Sequence, residues 1–138
     1  MKKILSLTLA LLMIFSMCFL ASCADKDEEE MLYTEDTTLG EGSKTITFIV
    51  SHIDGTEITF TIKTDKAVLS EALLEHKLIE GEMGAFGIYI KKVNGITHDF
   101  DKDMTYWSLY VGNDYAVSGA ESTAVVDGET YMLKASRQ

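Results

Sequence analysis

Two stretches in the first half of the chain alternate apolar and polar residues. Apolar side chains stand at every second position from Ile46 to Val50 and again from Ile58 to Ile62, mostly with threonine between them. Such alternation places these side chains on one face of a strand. The Asp54-Gly55 pair between the stretches is a turn sequence, so the pattern predicts a β-hairpin.

After the hairpin the pattern changes to a helical one. In the segment AVLSEALLEHKLIEGE, apolar-face positions recur three or four residues apart at Leu69, Ala72, Leu73 and His76, and Leu74 and Leu78 widen the stripe. Thr64 or Asp65 is placed to cap the start, and Gly81 is placed to cap the end. The segment therefore predicts one amphipathic helix that lies on the hairpin.

The remaining pattern predicts further strands separated by glycine-containing turns. They cover residues 87–93, 106–111, 115–117 and 129–135, and a short return at 96–97 follows the Asn94-Gly95 turn. One helix packed on a mixed sheet gives the class α+β. The order β-β-α-β-β-β indicates a β-grasp-like domain.

The first 23 residues have the layout of a secretory signal. Two lysines precede an apolar run from Ile4 to Leu20, and small residues lead into Cys23. This layout resembles the signals of bacterial lipoproteins, so residues 1–22 are predicted to be a lipoprotein signal peptide and Cys23 the lipidated residue. The alternative is an uncleaved anchor, for which about 17 apolar residues is the short limit. Acyl chains on Cys23 would hold the protein on the extracytoplasmic face of the cell membrane.

The predicted mature chain is acidic and has no free thiol. Loss of Lys2 and Lys3 from 12 basic residues leaves 10 against 22 acidic ones, a formal charge near −12. Because no basic stripe exists to neutralise phosphates, nucleic acid is excluded as a partner. Cys18 leaves with the signal and Cys23 carries lipid, which excludes disulfides, thiolate metal sites and cysteine nucleophiles.

Composition divides the mature chain into a tether and a domain. Eight acidic residues and one lysine lie between Ala24 and Gly42. Because like charges repel, residues 23–42 are predicted to form an acidic flexible tether. Residues 43–138 are enough for one small domain with one core.

The sequence departs from the known metal-binding and catalytic motifs at specific positions. Asp99, Asp101 and Asp103 have the spacing of a calcium loop, but Met104 stands where glycine is needed and Tyr110 where glutamate is needed. A solvated turn is the better interpretation. The three histidines have no zinc-ligand spacing, and no nucleophile or phosphate-loop motif occurs. We expect a protein that is not an enzyme, has no metal site and requires no cofactor.

The strand predicted at 106–111 carries the most distinctive side chains. Alternation puts Trp107 on the apolar face, where it is expected to pack in the core, and Tyr106 and Tyr110 on the open face, together with Tyr89. An exposed tyrosine row suits binding of a sugar, a protein or a planar ligand. The alternative is ordinary cross-strand aromatic pairing.

These segments together carry a family resemblance. The hairpin around Asp54-Gly55, LSEALLEHKLIEGE, GIYIKKVNGI, YWSLYVGNDYAVSG and VVDGETYML follow one another between Thr45 and Ala135. That region resembles the C-terminal β-domain of transcobalamin and intrinsic factor, a family that appears in bacteria as DUF4430. The resemblance implies a ligand-facing loop after the Tyr106-Trp107 strand, formed by Asn113, Asp114, Tyr115, Ala116, Val117 and Ser118.

The resemblance also implies a function. Carriers of this family close the domain over cobalamin bound against a helical barrel, and this chain lacks the barrel. A corrinoid contact would therefore be partial, or a second protein would complete it. The sequence predicts a non-catalytic, lipid-anchored extracytoplasmic binding domain for a corrinoid such as cobalamin or for another soluble ligand. The alternative is a module that binds a protein or a glycan at the cell surface.

Replacement of Cys23 tests the anchor. Cys23→Ala removes the sulfur that would receive the lipid, so the variant should lose label from a palmitate analogue and leave the membrane fraction. Metabolic labelling and cell fractionation of parent and variant measure both effects. A parent that is itself unlabelled, and a variant that fractionates as the parent does, would contradict the lipoprotein prediction.

Overall fold

The computed structural model describes residues 29–138, which form two β-sheets with two short helices. In chain order the elements are β1 Thr37–Leu39, β2 Lys44–Ser51, β3 Glu57–Thr64, α1 Leu69–Glu75, β4 Ile79–Gly84, β5 Gly87–Val93, β6 Ile96–Thr97, α2 Phe100–Asp103, β7 Thr105–Val111, β8 Asp114–Tyr115, a 3-10 turn Ala120–Ser122, and β9 Thr130–Arg137. The predicted class α+β is confirmed. The structure also contains two strands that the sequence pattern did not predict, β1 before the hairpin and β4 after the first helix.

The larger sheet has the strand order β1-β3-β2-β9-β7-β8. β2 and β3 form the predicted antiparallel hairpin, in which Phe48 lies opposite Phe60. β2 also pairs in parallel with β9, and β1 with β3, so this sheet is mixed. The apolar positions that alternate along β2 and β3 are all buried, which confirms the phase of both strands.

The helix is shorter than predicted. Leu69, Ala72 and Leu73 are buried as expected, but α1 ends at Glu75 and Lys77 has a positive φ of 55°. The chain then enters β4, which pairs with β5 to begin the smaller sheet β4-β5-β6. The predicted extension to a cap at Gly81 is therefore wrong.

The predicted caps have other roles in the structure. Gly81 lies at a register shift between β4 and β5, where a Cβ atom would meet the Tyr89 carbonyl oxygen at 1.9 Å. The Asp65 carboxylate accepts the backbone N–H of Ser43, and Thr64 accepts that of Lys66, so neither caps α1. Contacts distant in sequence have thus overridden the local helix signals.

The segment from Glu29 to Gly42 lies against the domain. β1 pairs with β3, and Asn94 joins the backbone of Tyr33 by two hydrogen bonds of 2.9 Å. The Tyr33 ring packs edge-on against Phe60 with centroids 5.3 Å apart. This corrects the expectation of a flexible tether as far as Gly42, since the acidic segment carries enough apolar and β-forming residues to pack. The predicted signal peptide and Cys23 lie outside the described residues.

β7 presents two different faces. Trp107 is 8% exposed, and Leu109 and Val111 pack against the core on the same side. This confirms the predicted core position of the tryptophan. Tyr106 and Tyr110 are half-buried on the other face. β8 is shorter than the predicted strand 115–117, because only Asp114 and Tyr115 pair with β7. In residues 29–138, no helix has the length and apolar character needed to cross a bilayer.

Removal of the tryptophan should destabilise the domain. Trp107→Ala leaves a large cavity in a well-packed interior and should lower the free energy of unfolding by about 3–5 kcal/mol. Tyr115→Ala is the matched control, because this side chain is 62% exposed and its loss should cost within about 1 kcal/mol. Urea unfolding followed by circular dichroism compares them. A stable Trp107→Ala variant beside an unfolded Tyr115→Ala variant would show that the strand phase is wrong by one residue.

Candidate functional site

Five aromatic side chains gather on the open side of β7. Tyr106 and Tyr110 lie on β7, Tyr115 on β8, Phe100 on α2 and Tyr89 on β5. Ring centroids are 6.3 Å apart for Phe100 and Tyr106, and 5.5 Å apart for Tyr110 and Tyr115. We call this group the aromatic face. It borders a cavity of about 490 Å³, which is lined by Tyr89, Phe100, Tyr106 and Tyr115 together with Ile90, Gln138 and the edge of the largely buried Trp107.

A second concavity adjoins the aromatic face along the same two chain segments. It measures about 590 Å³ and lies between the β4–β5 hairpin tip at Phe86 and the segment from Val117 to Ser122. We call it the tip cleft. Phe86 is 96% exposed and Val117 is fully exposed, so two apolar side chains stand free at its edges.

Gly87 allows this cleft to form. Its φ is 102°, and a Cβ atom there would lie 2.5 Å from the Cγ atom of Glu121. A side chain would therefore both strain the backbone and push the hairpin tip away from the 3-10 turn. The glycine fixes the spacing of Phe86 relative to Val117.

The structure divides the predicted ligand-facing residues into three groups. Tyr115 belongs to the aromatic face, and Val117 and Ser118 line the tip cleft. Asn113 and Asp114 lie where β7 turns into β8 and line neither cavity. Ala116 donates its backbone N–H to the Leu109 carbonyl and serves to hold the loop.

The predicted tyrosines are both present in the aromatic face, but their positions differ. Tyr106 lines the cavity, whereas Tyr110 is half-buried against Tyr115 and does not. Sequence reasoning missed Phe86 and Phe100. For Phe86 a usable signal existed, since an aromatic residue inside the glycine-rich stretch GEMGAFG has no neighbours in sequence to bury it.

The acidic run at Asp99–Asp103 forms a capped helix rather than a loose turn. The Asp99 carboxylate accepts the backbone N–H of Asp101 and caps α2. Asp103 accepts both the backbone N–H and the hydroxyl of Thr105, and these bonds hold the pKa of Asp103 below its usual value. Within residues 29–138, no three or more His, Cys, Asp or Glu side chains are grouped to hold a metal ion.

Two histidines meet the core tryptophan away from the aromatic face. The ring centroids of His98 and His52 lie 4.9 Å and 5.9 Å from that of Trp107, both edge-on. His98 Nδ1 is 2.9 Å from the Thr105 hydroxyl oxygen. Because that hydroxyl donates to Asp103, Nδ1 of a neutral His98 carries the hydrogen and donates to the hydroxyl oxygen. The other ring nitrogen, Nε2, then has a free lone pair.

Burial lowers the pKa of both imidazoles below the usual value. For His98 the nearby Asp103 opposes the shift, and for His52 Asp54 opposes it. Each ring is more than nine-tenths buried. Both are therefore neutral near pH 7, and Nε2 of each has no hydrogen-bond partner among the described residues.

No protein-family model matches the chain, and no curated protein matches it. Several solved structures are similar to it, two of which are described below. The first is a "putative metal binding protein" from Ruminococcus gnavus ATCC 29149, with 33% sequence identity and a TM-score of 0.67, covering 70% of this chain and 99% of that one. The chain belongs to the family of this protein.

The second similar structure is haptocorrin in complex with Cbi. It has 24% identity and a TM-score of 0.53, and the match covers 72% of this chain and 26% of haptocorrin. This likeness shows a shared fold, that of the transcobalamin-like sheet domain, as the sequence resemblance implied. The chain corresponds to about a quarter of haptocorrin.

The buried histidines should make stability depend on pH. As the pH falls below about 6.5, the unfolded chain takes up protons at His52 and His98 before the folded chain does, so the free energy of unfolding should decrease. Each histidine contributes at most ~1.4 kcal/mol per pH unit. Urea unfolding between pH 7.5 and 5.5 measures this slope, and Asp103 titrates below that window.

The double variant His52→Gln/His98→Gln should have a flatter slope over the same range. His76→Gln is the control, because that ring lies beside Gly40 rather than against Trp107. Equal slopes for parent and double variant would contradict the assignment of the two buried rings as the groups that titrate.

Proposed function

We propose that the chain is a non-catalytic binding domain, anchored by lipid at Cys23 on the extracytoplasmic face of the membrane. Its binding surface is the aromatic face together with the tip cleft, and its ligand is a small soluble molecule for which a corrinoid is the first candidate. The lipoprotein-like signal supports the location, and the family relationship and fold support a binding role.

The concentration of exposed apolar side chains carries the proposal. Phe86, Val117, Met83 and Tyr115 are all more than 60% exposed, and Tyr89 is 49% exposed. Phe86 and Val117 line the tip cleft and Tyr89 and Tyr115 line the aromatic-face cavity, while Met83 lies on β4 opposite Ile88. Small soluble domains seldom leave such a patch uncovered unless it contacts something. Tyrosine offers flat area at low cost in side-chain entropy, which suits a planar ligand.

The size and openness of this surface support a small-molecule ligand. Cavities of about 490 and 590 Å³ fall within the range of small-molecule sites, about 300–1,000 Å³. Both open to solvent, and the chain spans 26% of haptocorrin, the structure described in complex with Cbi. Binding by this domain alone would therefore cover one side of the ligand, and a second protein or domain would cover the other.

The description of the Ruminococcus gnavus relative as metal binding has no matching donor set at this surface. The aromatic face contributes phenol and phenyl groups, and Glu121 is the acidic side chain that lines the tip cleft. Residues 29–138 hold no preformed group of three metal-binding side chains. We therefore assign no metal to the proposed binding surface.

A cell-surface protein or glycan is the second candidate for the same surface. The full exposure of Phe86 and Val117 favours it, because protruding apolar side chains are typical anchors of protein contacts. The two candidates predict different results when a corrinoid is added to the isolated protein.

Calorimetric titration of the full-length chain, in nonionic detergent, with cobinamide and cobalamin tests the proposal. The parent should bind one of them, and Tyr115→Ala should weaken binding about tenfold, equivalent to ~1.4 kcal/mol. Val117→Ala should also weaken it. Val126→Ala is the matched control, since Val126 is 54% exposed but lines neither cavity.

Two outcomes would count against the corrinoid. Absence of heat with both corrinoids would leave the surface to a protein or glycan partner. Equal affinities for Val117→Ala, Tyr115→Ala and the parent would show that a corrinoid binds elsewhere on the chain.

A further inference from the structure

A third cavity lies apart from the proposed binding surface. It measures about 470 Å³, opens to solvent, and is bordered by the segment from Glu29 to Thr34, the turn between β2 and β3, and the region of Ile96 and His98. We call it the histidine cavity. None of its lining residues lines the aromatic-face cavity or the tip cleft. Any ligand here would be independent of the function proposed above.

The histidine cavity is lined by two buried histidines with unpartnered ring nitrogens. His52 and His98 are both more than nine-tenths buried, and Nε2 of each lacks a hydrogen bond among the described residues. Nε2 of His98 is an acceptor, because Nδ1 carries the hydrogen of the neutral ring. Buried polar groups are nearly always paired, so this acceptor lacks a hydrogen-bond donor among the described residues.

The charge of the lining has one sign. Glu29, Glu30 and Asp54 line the cavity, and no lysine or arginine does. Lys92 is close enough to interact with Glu29 and Arg137 with His98, but neither lines the cavity. With both histidines neutral, the lining offers acceptors and negative charge and therefore selects a cation that can donate hydrogen bonds.

The volume of the histidine cavity and its apolar walls indicate an organic ligand and not a bare ion. A volume of about 470 Å³ is in the range for small organic ligands, and Met31, Ile53 and Ile96 make much of the wall apolar. No three-donor metal cluster exists within residues 29–138. We propose that the histidine cavity binds a small organic cation, a protonated amine with an apolar body. The ammonium group meets the carboxylates, and the body packs on the apolar wall beside the imidazole rings.

Three probes of matched shape test the proposal on the full-length chain at pH 7.5 in nonionic detergent. They are benzylammonium, benzyl alcohol and benzoate, which are cationic, neutral and anionic. Calorimetry should show benzylammonium binding about tenfold or more tighter than benzyl alcohol, a difference of ~1.4 kcal/mol or more, and no binding of benzoate. Emission of Trp107, the single tryptophan of the chain, should change with the cation, because its ring contacts both histidines.

Matched variants locate the site. Glu29→Gln/Glu30→Gln keeps the side-chain shapes and removes two charges, so benzylammonium affinity should fall about tenfold, ~1.4 kcal/mol. Glu121→Gln, in the tip cleft, should leave it unchanged. A cooperative unfolding transition in urea shows that each variant is folded before denaturant is added.

Four results would overturn the proposal. They are failure of benzylammonium to bind at millimolar concentration, equal affinity for benzyl alcohol, an unchanged affinity in Glu29→Gln/Glu30→Gln, and displacement of benzylammonium by Zn²⁺ that requires His52 and His98. The last result would make the cavity a metal site instead. None of these outcomes depends on whether the aromatic face binds a corrinoid.

Discussion

The register of β7 against β9 is the constraint on which both faces of this domain depend. Trp107 lies opposite Ala135, and Tyr110 lies opposite Met132. A slip of one residue would exchange the two sets of side chains and bury tyrosines in place of the tryptophan. β9 is itself held on its other side by β2, and its Tyr131 hydroxyl donates to the Ala124 carbonyl and accepts from the Val126 N–H. The aromatic face therefore stands on a strand whose register is fixed from the core.

The local pattern of apolar and polar residues was sufficient to predict strands that have one buried face and are joined by short turns. The alternation along β2 and β3 identified their buried apolar positions, and on β7 it identified Trp107, because period-two burial is a property of the strand itself. It did not identify Ser108, which is buried on the face that carries Tyr106 and Tyr110. The helix was overextended for a related reason. Leu78 continues a helical stripe, yet it is buried after the chain has turned at Lys77 and is about to enter β4. The pairing of β4 with β5 is a contact between segments that local spacing does not encode.

The same distinction applies to the candidate site. The family resemblance predicted that the loop after β7 faces the ligand, and part of this loop does line the aromatic-face cavity and the tip cleft. The other wall of the cleft is Phe86, brought there because Gly87 lets a hairpin tip rest on Glu121. The glycine-rich sequence around Phe86 indicates an exposed aromatic residue, but it does not specify which segment the hairpin tip approaches. The packing of Glu29 to Gly42 was missed likewise, since its acidic composition predicts repulsion, whereas β1 pairs with residues 23 positions away and Tyr33 bonds to Asn94, 61 positions away.

β7 lies between the two proposed sites and contributes to both. Trp107 contacts His52 and His98, and Trp107 and its neighbour Tyr106 both line the aromatic-face cavity. A change at Trp107 therefore disturbs both sites. Residues outside β7 contribute to only one of the two sites. Tyr115 and Val117 belong to one site, and Glu29 and Glu30 to the other. Each site can therefore be altered separately only through side chains that lie outside β7. If substitution of Trp107 abolished both functions, the cause would be damage to the strand and not the loss of a contact with either ligand.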